Sequence, residues 1–242
     1  MTAAPPPPPA PASPQPSAPP SPLDLVDGPV LPVVVLDGTG PGDAVALARA
    51  LVAGGLTAVE VTLRTPGAVE AIRRIAAEVP RAVVGAGTVL DPGQAAAAAE
   101  AGARFLVSPG CTERLLEAAH ASGVPFLPGV STASEAMALL ERGVTRMKFF
   151  PARAAGGPAY LAALASPLPQ VRFCPTGGIG PGTAGDYLAL PNVACVGGSW
   201  MLPPEAVRAR DWARIERLAR EAARLGRPRP AEPDVSAGGR CR

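Results

Sequence analysis

Short apolar runs alternate with longer segments of helical periodicity along most of the chain. The apolar runs are rich in Val, Ala, Leu and Phe, which is typical of strands buried on both faces. The segments between them repeat apolar positions every three or four residues, as amphipathic helices do. The predicted strands are residues 30–36, 58–62, 83–86, 105–108, 126–130, 146–149, 172–175 and 194–196. The predicted helices are residues 43–53, 67–78, 92–101, 113–121, 133–142, 157–165, 183–189 and 211–223.

This strand–helix alternation implies parallel strands joined by crossover helices. Eight repeats over about 200 residues predict a (β/α)8 TIM barrel, an α/β fold of a single domain. The alternative is an open doubly wound sheet, which carries a Gly-x-Gly-x-x-Gly loop after its first strand. Residues 38–42 are rich in glycine, but Pro41 stands where that motif opens a helix. We therefore predict the barrel.

The two ends of the chain differ from its middle in composition. Residues 1–27 begin with an uncharged run of Pro, Ala and Ser, and we predict a disordered tail there. Such a tail acts as a spacer or as a PxxP ligand. We assign residues 28–227 to the barrel domain and residues 228–242, again rich in Pro and Gly, to a flexible C-terminal tail.

Composition narrows the choice of partners and compartment. The net charge is only +2, which gives no reason to expect nucleic acid or a membrane surface as a partner. The sequence has no long uncharged apolar run and no signal peptide, so we expect no membrane span and a cytoplasmic location. The four cysteines form no CxxC pair, and we interpret them as reduced thiols.

A single histidine, His120, limits the metal sites that this chain can build. It excludes centres made of two or three histidines, including the usual zinc designs for aldol chemistry. A magnesium ion bound by carboxylates stays open. We assign His120 to a solvated position near a helix C-terminus and predict neither a cofactor nor a structural metal.

Lys148 lies within a short apolar strand that ends at a proline. Because side chains alternate along a strand, Arg146, Lys148 and Phe150 share one face while Met147 and Phe149 share the other. Burying an ammonium group is costly, and a lysine kept out of water loses its proton more readily. The neutral amine is a nucleophile that can form a Schiff base. The alternative is a lysine that extends from the strand end into water.

Glu60 stands between two valines of the second predicted strand. Active sites of (β/α)8 barrels lie at the carboxyl ends of the strands, where Glu60 and Lys148 would both point inward. Such a pair suggests an acid/base next to a nucleophile, or else a purely structural ion pair.

Other strand ends carry groups suited to an anionic substrate. Arg64 offers a planar fork for a carboxylate, and Thr88 offers a hydroxyl. As an alternative, Arg64 is a loop arginine in a surface ion pair. The seventh and eighth strands end in glycine pairs, a position at which barrels bind phosphate. The residues concerned are Thr176, Gly177, Gly178, Gly197, Gly198 and Ser199.

Taken together, these segments resemble those of 2-keto-3-deoxy-6-phosphogluconate (KDPG) aldolase and the related 4-hydroxy-2-oxoglutarate (KHG) aldolase. The resemblance rests on residues 54–55, 59–65, 84–90, 148–152, 172–179 and 197–200 and extends from about residue 28 to 225. It implies a metal-independent class I aldolase with a (β/α)8 barrel, usually a homotrimer, that acts on small 2-keto acids.

The same resemblance implies a role for each candidate residue. Lys148 would form the Schiff base and Glu60 would be the general acid/base. Arg64 and Thr88 would bind the pyruvate carboxylate, and Pro109 and Phe150 would wall the pocket. The phosphate would be bound by Thr176, Gly177, Gly178, Gly198 and Ser199. Arg153 departs from the family pattern, in which an acidic residue often follows Lys-Phe-Phe-Pro-Ala.

Two further functions are compatible with the sequence. One is a magnesium-dependent pyruvate aldolase of similar shape, and the other is a non-catalytic barrel that binds a phosphorylated sugar. The sequence does not decide which aldehyde a catalyst of this kind would prefer.

Overall fold

The fold consists of parallel strands that are followed by helices. In this computed structural model the described residues are 21–37 and 40–226. The strands are β1 (Val30–Val34), β2 (Ala58–Thr62), β3 (Val83–Gly87), β4 (Leu106–Val107), β5 (Phe126–Leu127), β6 (Gly129–Val130), β7 (Arg146–Phe149), β8 (Arg172–Pro175) and β9 (Val196–Gly198). The helices are α1 (Pro41–Ala53), α2 (Ala68–Glu78), α3 (Pro92–Glu100), α4 (Glu113–Ala121), α5 (Ala133–Glu141), α6 (Gly157–Ala165), α7 (Ala184–Leu188), α8 (Pro204–Arg208) and α9 (Trp212–Ala223).

The described strands form two parallel sheets. One has six strands in the order β5-β4-β3-β2-β1-β9, and the other has three in the order β6-β7-β8. Parallel bridges between Phe173 and Val193 and between Thr176 and Gly197 link β8 to the chain around β9. The predicted parallel α/β arrangement is confirmed. Closure of these strands into one eight-stranded barrel stays a prediction at this point.

The predicted strand 126–130 is two strands, β5 and β6, because Pro128 interrupts it. Proline has no N–H to donate to a ladder, so it breaks the regular pairing. Its carbonyl still accepts the backbone N–H of Lys148 at 2.9 Å. The chain therefore leaves the larger sheet at β5 and enters the smaller one at β6, beside the strand that carries Lys148.

Capping residues fix where several helices begin. Asp91 accepts the backbone N–H of Gln94, and Thr112 accepts that of Leu115. At α5, the Thr132 hydroxyl accepts the N–H of Glu135 while the Glu135 carboxylate accepts the N–H groups of Ser131 and Thr132. These hydrogen bonds, the one from Ser131 foremost, lower the pKa of Glu135. The α8 helix was not predicted from the sequence.

Apolar side chains lie in two clusters, one on each face of the strands. The larger cluster lies between strands and helices and includes Val59, Val61, Met147 and Phe149. The smaller cluster lies on the other face. Its buried members are Leu23, Val26, Leu31, Ala58, Phe105, Val107, Leu127, Cys174 and Cys195.

The folded chain begins earlier than the sequence predicted. The predicted tail ended at residue 27, but Pro22–Leu25 form a 3-10 turn capped by the Ser21 hydroxyl. Leu23 and Val26, both 8% exposed, pack into the smaller apolar cluster. A charge-poor, proline-rich composition led to the wrong boundary, because two apolar residues suffice to anchor this turn. The rest of the predicted tails, residues 1–20 and 228–242, lies outside the described residues.

Among residues 21–37 and 40–226, no helix combines the length and apolar character that a membrane crossing requires.

We expect Leu23→Ala to lower the free energy of unfolding by about 2–5 kcal/mol, since it removes buried methyl groups and leaves a cavity. Urea denaturation followed by circular dichroism measures the change. Leu25→Ala is the matched control, because Leu25 lies in the same turn but is only partly buried. Equal losses for the two variants would contradict the anchoring role of Leu23.

Candidate active site

Lys148 and Glu60 form a buried ion pair. The Lys148 Nζ lies 3.2 Å from Glu60 Oε1, and the side chains are only 5% and 1% exposed. Glu60 comes from β2 and Lys148 from β7, so the pair joins strands of different sheets. Removing one member would leave an uncompensated charge in a dry environment. The predicted proximity of these two groups is confirmed, and the lysine does not extend into water.

Strand alternation explains why these side chains point to the same place. Val59 and Val61 flank Glu60 and belong to the apolar cluster on the helix side. Met147 and Phe149 flank Lys148 and belong to the same cluster, where Phe149 stacks on Tyr160 with ring centroids 5.6 Å apart. The charged residues therefore face the opposite side of the strands.

Gly87 makes room for the Glu60 carboxylate. A Cβ at this position would lie 2.2 Å from Glu60 Oε1, so any other residue would displace the carboxylate. The close approach requires glycine at this end of β3. The second oxygen, Glu60 Oε2, is buried and has no hydrogen-bond partner among the described residues. This carboxylate thus keeps an acceptor that a substrate hydroxyl could use.

The predicted pocket walls lie around Lys148. The Phe150 ring centroid is 5.5 Å from Lys148 Nζ, within range of a cation–π contact. Pro109 lies against Gly129, since a Cβ on Gly129 would be 2.3 Å from the Pro109 carbonyl carbon. Gly129 is in turn the register partner of Lys148 in β6. Both predicted walls therefore border the lysine-bearing strand.

Ser108 holds the Pro109 wall in place. Its buried hydroxyl donates to the Gly110 carbonyl at 2.6 Å and accepts the Gly129 N–H at 3.3 Å. The hydroxyl thus ties the end of β4 to β6. Neither Ser108 nor Gly87 was singled out as a site residue from the sequence. A serine that ends an apolar run just before Pro-Gly is the signal that could have identified Ser108.

Arg64 and Thr88 meet at the ends of β2 and β3. The Arg64 Nε donates to Thr88 Oγ1 at 3.2 Å. Arg64 is exposed and Thr88 is half-buried, and Thr88 has a left-handed backbone with φ of 56°. Arg64 forms no ion pair among the described residues, so its guanidinium remains available to a carboxylate.

The two predicted glycine-rich loops are neighbours. Thr176, just after β8, pairs with Gly197 of β9 in a parallel bridge. Gly177 and Gly178 both have positive φ, which turns the chain sharply at this point. A Cβ on Gly177 would lie 3.3 Å from the Phe150 ring, which connects the loop to the pocket wall. Gly198 is buried, and Ser199 is exposed at the following position.

Other nucleophiles and ligand groups are placed differently. The described residues contain no cluster of three or more His, Cys, Asp or Glu side chains that could hold a metal ion. Burial raises the pKa of the Cys111 thiol to about 11, and the nearby Glu113 adds to the rise. Since the thiolate is the reactive form, Cys111 is a poor nucleophile at neutral pH.

Comparison with known proteins places this site in a family. Residues 24–218 match the aldolase family described as KDPG and KHG aldolase. The chain belongs to this family. An Escherichia coli K12 relative named KHG/KDPG aldolase is 56% identical over 198 residues, which cover 82% of this chain and 92% of the relative.

Solved KDPG aldolases share the fold. The aldolase of Zymomonas mobilis ZM4, solved with 3-phosphoglycerate, is 49% identical with a TM-score of 0.80, covering 85% of this chain and 97% of its own. The enzyme from Legionella pneumophila is 47% identical with a TM-score of 0.79, covering 82% and 95%. That structure contains pyruvate captured at low pH as a covalent carbinolamine intermediate. The predicted family is thereby confirmed.

A double-mutant cycle tests the buried pair. Lys148→Met and Glu60→Leu should each lower the free energy of unfolding by about 3–5 kcal/mol, because each leaves one buried charge without its partner. The double variant should lose far less than the sum, since it buries no charge. Urea denaturation at neutral pH measures all four proteins. Additive losses would contradict a direct interaction between the two groups.

Proposed function

We propose that this protein is a class I aldolase that cleaves 2-keto-3-deoxy-6-phosphogluconate to pyruvate and glyceraldehyde 3-phosphate. It would also, or instead, cleave 4-hydroxy-2-oxoglutarate to pyruvate and glyoxylate. The observation that carries the proposal is the buried Lys148–Glu60 pair, with Nζ and Oε1 3.2 Å apart, in a member of the KDPG and KHG aldolase family.

The first step requires a neutral amine. Glu60 is close enough to take a proton from the Lys148 ammonium, which leaves a nucleophile out of water. The amine attacks the C2 carbonyl of the keto acid and forms a carbinolamine. Loss of water, with the proton held by Glu60 passing to the departing hydroxyl, then gives an iminium and restores the Glu60 carboxylate. The positive iminium nitrogen is an electron sink.

Carbon–carbon cleavage uses that sink. Glu60, directly or through a water, removes the proton of the C4 hydroxyl, and Glu60 Oε2 is an acceptor with no partner among the described residues. The C3–C4 bond breaks, its electrons pass to the iminium, and the aldehyde leaves. The remaining enamine takes a proton at C3 from Glu60, and hydrolysis of the new iminium releases pyruvate. One carboxyl group thus serves as base and then as acid.

The other site residues would position the substrate. Arg64 and Thr88 are assigned to the pyruvate carboxylate, and Pro109 and Phe150 to the pocket walls. The phosphate is assigned to the loops after β8 and β9, where backbone N–H groups and hydroxyls can donate to it. The phosphate-binding residues would be Thr176, Gly177, Gly178, Gly198 and Ser199.

The same proposal includes a closed (β/α)8 barrel, in which β5 and β6 count as one strand. Contact between Lys148 of β7 and Glu60 of β2 supports closure, because these strands belong to different sheets and are not neighbours. A homotrimer is the expected assembly from the family resemblance. A cytoplasmic location is part of the same proposal.

Reductive trapping tests the Schiff base. Lys148 is the only lysine in the sequence, so the N-terminal amine is the only other primary amine. Borohydride with pyruvate should add one reduced pyruvyl group, mapped by mass spectrometry to the Lys148 peptide. Lys148→Arg is the matched control, because it keeps a cation beside Glu60 but forms no imine; it should neither cleave substrate nor trap pyruvate.

Two outcomes would overturn this assignment. Full cleavage by the Lys148→Arg variant would show that the amine is dispensable. Substrate binding by the wild-type protein without turnover and without an adduct would favour the non-catalytic phosphosugar-binding barrel instead.

Glu60→Gln should lower kcat on the order of 10²–10⁴-fold, the usual contribution of a general acid/base, with a smaller change in KM. The amide cannot exchange the proton but keeps the shape of the side chain. Steady-state kinetics on both substrates measure the effect. An unchanged kcat would assign the proton transfer to another group.

A further inference from the structure

Arg153 lies directly on the glycine-rich loop that follows β8. A Cβ placed on Gly178 would be 2.8 Å from the Cβ and 3.1 Å from the Cδ of Arg153. The stem of this arginine therefore crosses Gly178, which leaves no space for a side chain there. The backbone N–H of Arg153 also donates to the Gly177 carbonyl at 3.0 Å. Arg153 and the loop thus form one packed unit.

The charge of Arg153 affects the pKa of a tyrosine in α7, the helix that follows the loop. Burial raises the pKa of the Tyr187 hydroxyl in α7, and the Arg153 guanidinium opposes this rise. The neighbouring Asp186 carboxylate acts in the opposite sense. The Arg153 stem thus lies beside Gly178, and its charge is near enough to α7 to act on Tyr187.

Within residues 21–37 and 40–226, this guanidinium has no carboxylate partner. Among the described residues, ion pairs engage Arg73, Arg74, Arg142, Arg210, Arg214 and Arg220. Arg153 is exposed and makes no such pair, although Asp186 lies near enough to influence the same tyrosine. Its planar fork of donors is free to bind an anion, and phosphate is an anion that it fits in a bidentate manner.

None of the described residues assigned above to the phosphate carries a positive charge. Thr176, Gly177, Gly178, Gly198 and Ser199 supply only neutral N–H and hydroxyl donors. Of the two other cations of the site, Lys148 pairs with Glu60, and Arg64, beside Thr88, is assigned to the pyruvate carboxylate. A phosphate monoester carries between one and two negative charges near neutral pH. A cation at the rim would compensate that charge.

We propose that Arg153 is a specificity-determining residue, which binds the substrate phosphate and favours phosphorylated 2-keto acids over unphosphorylated ones. This rests on the proposed aldolase function and adds to it a residue outside the glycine and hydroxyl donors of the loops. Because the Arg153 stem packs on Gly178, the guanidinium begins beside the loop. It forms no ion pair among the described residues, so it can turn toward the ligand.

A pair of substrates isolates the effect. KDPG and 2-keto-3-deoxygluconate have the same carbon chain and differ only in the phosphate. Arg153→Gln should lower kcat/KM for KDPG about three- to tenfold, mainly through KM, as expected for loss of an exposed charge-assisted contact. For 2-keto-3-deoxygluconate it should change kcat/KM little, because no phosphate is present. The loss on KDPG should shrink as ionic strength rises.

Two further variants serve as controls. Arg153→Lys keeps the charge and should retain most of the preference for KDPG. Arg104→Gln removes an exposed arginine just before β4, at the amino end of the strands, and should affect neither substrate.

Equal losses on both substrates with Arg153→Gln would overturn the proposal and assign Arg153 to the structure of the loop. Unchanged kinetics of Arg153→Gln on KDPG would also overturn the proposal. An equal loss of kcat/KM on KDPG with Arg104→Gln would overturn it as well, because it would indicate only a general effect of net charge. Wild-type turnover reports separately on the aldolase function, whereas the ratio between the two substrates reports on Arg153.

Discussion

The packing of the rest of this structure depends on the buried ion pair between Lys148 and Glu60. Two opposite charges withdrawn from water tolerate burial only when they face each other at hydrogen-bond distance. That distance depends on β2 and β7, strands of different sheets, being held in a fixed relation. Two residues help to hold these strands in place. Gly87 leaves space for the carboxylate, and Ser108 ties β4 to β6. Packing around the pair is therefore a requirement of the chemistry as well as of stability.

Much of this could be predicted from the sequence, because the rules involved are local. Alternation along β7 placed Lys148 opposite to Met147 and Phe149, and the structure agrees. The parallel α/β class followed from the order of strands and helices. Motifs that combine a lysine strand with glycine-rich strand ends indicated the family.

The features that the sequence did not predict depend on contacts between residues distant in sequence. The 3-10 turn at Pro22–Leu25 forms because Leu23 finds apolar partners from several strands, and composition alone carries no sign of them. The division of one predicted strand at Pro128 depends on two sheets meeting there. The role of Ser108 depends on Gly129, which lies 21 residues later in the chain. Hydrogen bonds of this kind have no periodic signature.

The separation of Glu60 and Lys148 by 88 residues has a consequence for biosynthesis. An emerging polypeptide cannot bring this amine and this carboxylate together until β7 has left the ribosome, and a fragment ending before β7 lacks the lysine. A product of translation that ends before β7 would therefore form no Schiff base through Lys148. Recovery of catalysis after dilution from denaturant would likewise report the meeting of Lys148 and Glu60, which a gain of helix alone does not.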